Sequence, residues 1–456
     1  MSLEKSKTLK GNLDHAIDLF QKGAHEEAHN IFRDLIVIAP QTEMAWSGLG
    51  AVLRKLQKYD AAVTAQKHAH NLAPNSLSIK SNLVNALNNA GRYSEALPLA
   101  QKNFLANKGD VSFVKAYVKC LKGNCQAELA VEIVDAFVAE FGNDAELAVD
   151  VSLARLYLGQ FTKGFEDFEQ RFESGEVALN KKIEAKRWRG EDLGGKDVLV
   201  FKEQGFGDNI WFSRFLPALH REAGVVHMAT QRPLLRLMSK FNGIDKLLEM
   251  NQINLDDYDY VLPICSLPKA TKFSDKAPKP SPQPLNIPDD SRKRARTMLG
   301  RYKDVKKVGI VWTGSLTYKS NHLRSVDIKR FLKLAEIPNV QLISLYKGDA
   351  IEDLKTSGAE GIILDACSTD RDFADTAAII DELDLLITTD TGVVHVAANM
   401  GKPVWNMVTY EGFWMYGAGT RTPWYPSMRI FRQPAEFDWD SVFETIEMEL
   451  RDFVAN

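Results

Sequence analysis

Pro40 and Pro74 stand 34 residues apart, and small and aromatic residues recur around them at matching offsets. A period of that length implies helix–turn–helix units that cannot bury their apolar faces alone, so neighbours must stack. The unit between the prolines carries Trp46, Leu49, Gly50, Tyr59 and Ala62. The one before it shows Ala16, Gly23, Ala28 and Phe32, and the one after shows Leu83, Leu87, Gly91, Tyr93 and Ala96. Two weaker units follow, through Tyr117, Leu121, Ala130 and Phe137, then Leu153, Leu156, Gly159, Phe161 and Phe168. Small residues let paired helices approach, while the Leu and aromatic positions fill the seams. The pattern predicts a helical array over residues 9–175 with an extended concave groove. Such a groove suits a peptide or protein partner; a rigid spacer or a self-association surface is the alternative. Asn82, Asn85, Asn88 and Asn89 crowd the third unit, where better helix formers would be expected. They read as polar groups offered to a partner backbone, or as a solvated face.

After a charged connector, Lys181 to Gly195, the pattern changes to alternating strands and helices. KDVLVFKEQGFGDNIWFSRFLPAL predicts a buried strand at Val198 to Phe201, a turn at Gly205 and Gly207, and a helix from Asp208 onward. Asp208 is either a helix cap or a carboxylate base facing a cleft. This turn lacks the GxGxxG fingerprint, so no nicotinamide cofactor is expected. Further strands are predicted at Gly224 to Met228 and Tyr258 to Ile264, with a helix at Arg232 to Phe241. Prolines at 278, 280, 282, 284 and 288 then exclude regular structure and mark a linker. The first Rossmann-like half spans 196–290.

A second half, 303–456, opens with a strand ending near Trp312. The loop after it holds Thr313, Gly314, Ser315, Lys319, His322 and Arg324, a mixture of hydroxyls and cations suited to phosphate. Strands at Val340 to Leu345 and Gly361 to Leu364 flank a loop bearing Lys347, which competes with Lys319 for a charge-neutralising role. A helix at Phe373 to Leu383 precedes DLLITTDTGVVHVAANMGKP, a buried strand turning into a helix at Thr391 or Gly392. Unpaired N–H groups and the helix dipole there make an anion site; Asp390 or Thr391 caps the helix, Gly392 permits close approach and His395 lies one turn in. Val404 to Val408 is the next strand. Apolar spacing at Phe437, Val442, Ile446, Leu450 and Phe453 predicts a closing helix able to cross between the halves.

The composition narrows the function classes. With 57 Lys and Arg against 60 Asp and Glu, there is no overall charge to draw nucleic acid or an anionic membrane. No apolar run is long enough to span a membrane, and MSLEKSKTLKG does not read as a signal peptide, so a cytoplasmic location is expected. The four cysteines, Cys120, Cys125, Cys265 and Cys367, form no CxxC pair, and no metal site is expected.

The repeat resembles the tetratricopeptide repeat. GFGDNIWFSRFLPAL, with DFADTAAIIDELDLLITT and DTGVVHVAANMGKP in that order, resembles the heptosyltransferase family of GT-B glycosyltransferases over roughly Asp197 to Asn456. The resemblance implies metal-independent, inverting transfer from a nucleotide sugar bound mainly by the second half. The sugar donor enters as substrate, without a cofactor. It implies Asp208 as the base, Lys319 and Thr313 near the phosphates, and Asp390, Thr391, Gly392 and His395 around the donor diphosphate. Tetratricopeptide repeats before a GT-B part are similar to protein O-glycosyltransferases, including bacterial enzymes that modify flagellin. That combination implies transfer to a Ser or Thr of a protein held by the repeats. A lipopolysaccharide or other glycan acceptor and an inactive repeat scaffold are the competing readings.

Overall fold

The computed structural model describes residues 3–455, which form two compact units, Met1–Ala154 and Arg155–Asn456. In the first, helices pair antiparallel: α1 (Leu3–Gln21) with α2 (His25–Ile38), α3 (Glu43–Lys55) with α4 (Tyr59–Leu72), α5 (Leu77–Asn89) with α6 (Tyr93–Ala106), and α7 (Val111–Gly123) with α8 (Ala127–Phe141). The unit ends within α9 (Ala145–Tyr157). Ala16, Ala28, Phe32, Leu35, Ala45 and Val52 form the core of the first repeats. A Cβ on Gly50 would lie 2.6 Å from the amide of Gln66, so the small residue is what admits that buried side chain. The turn inside each pair needs a left-handed residue. Gly23 and Gly91 supply it at φ 83° and 74°, whereas Gln57 and Cys125 adopt it at 60° and 57° despite their side chains.

The asparagine expectation needs correcting. Asn82 donates to Ser47 Oγ at 3.0 Å, and Asn89 accepts from Lys119 Nζ at 3.2 Å. Buried Asn88 donates to the Ala116 carbonyl at 3.1 Å and accepts from Cys120 Sγ at 3.0 Å. These amides join neighbouring repeats, because a polar group left unpaired between stacked helices costs about 1–3 kcal/mol. Asn85 is half-buried.

In the second unit, α10 (Phe161–Phe168) precedes the first sheet. Strands β1 (Asp197–Phe201), β2 (Val225–Thr230), β3 (Lys246–Glu249) and β4 (Tyr260–Pro263) are all parallel, in the order β3-β2-β1-β4. Helix α11 (Phe206–Phe212) follows β1 and α12 (Arg232–Met238) follows β2. The proline segment, residues 278–288, is irregular as expected, but it leads into α13 (Asp289–Leu299), which the sequence reading passed over.

The second sheet contains β5 (Lys306–Val311), β6 (Val340–Ser344), β7 (Leu364–Asp365), β8 (Leu385–Thr389), β9 (Val404–Val408) and β10 (Met428–Arg432). Its order is β10-β9-β8-β5-β6-β7, again parallel, and it is covered by α14 (Lys329–Ala335), α15 (Phe373–Asp381), α16 (Gly392–Asn399) and α17 (Trp439–Ala455). Counted from β5, this is the doubly wound Rossmann order. The strand expected at Gly361 to Leu364 shrinks to β7, because Gly361 turns the chain at φ 86°. The closing helix does not cross between the sheets: α17 packs on α14 and β10, with Phe443 against Phe331 and Arg429 paired to Glu449 at 2.9 Å. Val442, Ile446 and Leu450 are buried as the spacing predicts, while Phe437 lies outside the helix and is half exposed. Among the described residues, no helix is long and apolar enough to cross a membrane.

Candidate active site

Each sheet has a point where the strand order reverses, between β1 and β4 in the first and between β5 and β8 in the second. Ligands of open parallel sheets bind outside the carboxyl ends of the strands at such points. Here the turns leaving β1 and β8 meet. A Cβ on Gly207 would fall 2.7 Å from His395 Cδ2 and 3.3 Å from Gly392 Cα. The first turns of α11 and α16 are therefore in contact across glycine, and the residues picked from two distant sequence motifs share one place.

Asp208 is the third residue of α11 rather than its cap, which is Gly205. Its Oδ2 accepts the Gly205 N–H at 3.0 Å, so the capping and functional readings fall on one carboxylate. Burial, with Asp390 and Glu203 as neighbouring negative charges, raises its pKa from 3.8 to about 6, against the opposing Gly205 hydrogen bond. The residue as a whole is half-buried.

On the other side, Asp390 accepts from Tyr416 Oη at 2.6 Å and lies 3.8 Å from Arg324 Nη1. This carboxylate organises its surroundings. Arg324 also donates to Asn321 Oδ1 at 3.2 Å and crosses Gly314, tying the loop after β5 to the turn after β8. Of Asp390 and Thr391, the two residues expected to cap α16, Thr391 takes the cap position, but its hydroxyl makes no capping bond; the backbone there is extended at φ −143° and ψ 170°, and Oγ1 is shielded and without a protein partner among the described residues. His395 is buried, with Nδ1 3.2 Å from Tyr425 Oη. Burial and nearby Arg214 lower its pKa to about 4 despite Asp390, so the ring is neutral at pH 7.

The remaining candidates lie further out or are engaged locally. Thr313 Oγ1 accepts from Asn321 Nδ2 at 2.9 Å and sits 2.7 Å from Ser325 Oγ, which makes it a fixture of the loop. Lys319 is exposed on that loop. Lys347, one strand away from the reversal point, donates to the Asp370 carbonyl.

The sequence reading missed Tyr416 and Tyr425, which hold Asp390 and His395. Their signal was present: YEGFWMYGAGTRTPWYP concentrates aromatic residues in a loop at the carboxyl end of a strand. From this loop Trp414 and Trp424 close on Trp211 of α11, edge to face at 5.0 and 4.8 Å between ring centres. Phe165 of α10 joins them, 5.9 Å from Trp414 and 6.5 Å from Phe212. Arg236 of α12 adds a polar tie to Asp372 before α15, at 3.2 Å. Among the described residues, no three His, Cys, Asp or Glu side chains gather as a metal ligand set.

Residues 76–104 match the tetratricopeptide repeat model. Protein FlbA of Caulobacter vibrioides is 25% identical over 473 residues, covering 96% of this chain and 77% of that one. Among solved structures, E. coli ADP-heptose lps heptosyltransferase II is 10% identical, covering 57% of this chain and 98% of its own, with a TM-score of 0.43. The glycosyl transferase family 9 structure from Veillonella parvula is 12% identical over 57% of this chain and 91% of its own, with a TM-score of 0.41. Repeat match, helix pairing and strand order together give the chain its architecture, tetratricopeptide helices followed by two Rossmann-like parallel sheets.

Proposed function

We propose that the protein is a GT-B type glycosyltransferase that moves a sugar, with inversion and without a metal, from a nucleotide sugar to a Ser or Thr hydroxyl of a protein held by the repeats. The observation that carries this reading is the meeting of the two turns: Gly207, next to the Asp208 carboxyl that burial raises to about 6, packs on the first turn of α16, and at the cap of that helix Thr391 Oγ1 has no protein partner among the described residues. At neutral pH Asp208 is ionised and ready to accept a proton, the condition for a general base. It takes the proton of the acceptor hydroxyl as that oxygen bonds to the anomeric carbon. The bond from that carbon to the donor diphosphate breaks, and its electron pair leaves on the phosphate oxygen. The N–H groups at the start of α16, with the Thr391 hydroxyl, receive the growing charge, supported by Arg324 and Lys319. Neutral His395 contributes a hydrogen bond rather than a cation.

The test incubates the full chain with a panel of nucleotide sugars and candidate proteins, a flagellin among them, and follows the intact mass of each acceptor. A gain of one sugar, mapped to a Ser or Thr, is expected. Modification of a lipopolysaccharide or free glycan with every protein left unmodified would transfer the assignment to the glycan reading.

A further inference from the structure

Arg171 is fully buried, yet it belongs to neither turn of the site. Its guanidinium grips Glu203 as a fork, Nε to Oε1 at 2.7 Å and Nη2 to Oε2 at 2.9 Å. Nη2 also donates to Ser266 Oγ at 2.7 Å, and Nη1 donates to Glu169 Oε1 at 2.7 Å and to the Phe168 carbonyl at 3.0 Å. The rings of Phe168 and Phe172 lie 4.4 and 4.3 Å from its central carbon. Glu203 follows β1 and Ser266 follows β4, so a single side chain stitches both strand ends at the first reversal point. Glu203 also anchors the turn through its carbonyl, which accepts Asn209 Nδ2 at 3.0 Å, while the same amide reaches the Gly205 carbonyl at 2.7 Å. Between them Gln204 is held at φ 58°, a conformation that disfavours a side chain and persists only where its surroundings enforce it.

Resting on the transfer reading above, we propose that Arg171 is a positioning residue: through its fork on Glu203 it fixes the turn that carries Asp208 and packs on α16 through Gly207. A buried ion pair is a weak source of stability, since desolvation offsets most of its attraction, whereas a planar fork sets geometry closely. The pair also sets the local charge. The groups facing Asp208 are Glu203 and Asp390, His395 across Gly207, and the Cys265 thiol, held protonated by burial; Arg171 and Glu169 lie behind Glu203.

The test uses the full chain. In Glu203→Gln the Arg171 cation loses its fork partner, so the Asp208 carboxyl should titrate below its native midpoint, seen by carbon-13 NMR without any assay of transfer. Arg171→Lys keeps the charge and loses the fork. Its kcat should fall roughly 10- to 100-fold with donor KM changed less than about twofold, the pattern of a displaced group rather than a lost binding contact. A double change, Arg171→Met with Glu203→Leu, made in a Glu169→Gln background so that no carboxylate is left buried without its cation, removes the pair and so guards against variants that merely unfold. It should melt close to the parent yet remain as slow as Arg171→Lys. A double variant with parental kcat, or an Asp208 midpoint unmoved in Glu203→Gln, overturns the assignment. Failure of the transfer reading would look different: the parent itself would transfer no sugar, while the NMR shift remained.

Discussion

Replacing Gly207 with alanine probes the contact on which the site depends. The added carbon would sit 2.7 Å from His395 Cδ2 and 3.3 Å from the Gly392 backbone, so α11 and α16 must separate by roughly 0.7 Å to restore ordinary 3.4 Å contact. Overpacking of this kind costs about 1–3 kcal/mol, against about 1 kcal/mol gained from alanine in a helix, leaving a net loss of about 0–2 kcal/mol. Stability should therefore change little. Activity should change much more, because a misplacement approaching 1 Å can cost about 100-fold. Gly392→Ala is the internal comparison: its nearest neighbours would be Gly207 N at 3.4 Å and Phe206 Cβ at 3.6 Å, ordinary contacts. Steady-state transfer and thermal melts on both variants check the reasoning. Equal activities in the two, or parental activity in Gly207→Ala, would refute the claim that these turns must touch as they do.

Gln57→Gly and Cys125→Gly relieve left-handed backbone strain and should each raise the denaturation midpoint, by up to about 1 kcal/mol in stability. Asn88→Ala should destabilise the array by about 1–3 kcal/mol by removing a buried amide that bonds the Ala116 carbonyl and the Cys120 thiol, while half-buried Asn85→Ala should stay within about 0.5 kcal/mol; urea unfolding separates them. His395 has a folded pKa depressed from 6.5 to about 4, so its contribution to stability is present above 6.5 and is lost as pH falls through 4. Its ring NMR signals should stay constant from pH 8 to about 5.5; a midpoint near 6.5 would mean the ring is solvated rather than buried.

The repeats, the first glycine turn and DTGVVH were legible because their constraints are local: a period, a helix start, a backbone that must approach another closely. Edge strands β3 and β10 were missed because KLLE and MRIFR are short and show no clean alternation. Helix α13, DDSRKRARTML, buries only Ser291, Ala295 and Leu299, too narrow an apolar stripe to stand out after five prolines. Arg171 was illegible for a different reason. Its role comes from Glu203 and Ser266, 32 and 95 residues away, and no local pattern announces such a pairing. The expected array end at 175 overlooked this too. Phe161, Phe165 and Arg171 belong to the second unit, so removing residues 1–175 would strip that unit of an aromatic cluster and a buried fork.

The central claim is that Asp208 accepts the acceptor's proton while the second sheet holds the donor. The most direct measurement is the single-turnover rate of sugar transfer in Asp208→Asn, with nucleoside diphosphate affinity determined by calorimetry on the same samples. The amide can still accept the Gly205 N–H, which keeps the helix start intact. Transfer should fall by about 10²- to 10⁴-fold while diphosphate affinity stays within about twofold. Transfer at the parental rate would contradict the account and leave Asp208 as a helix cap alone.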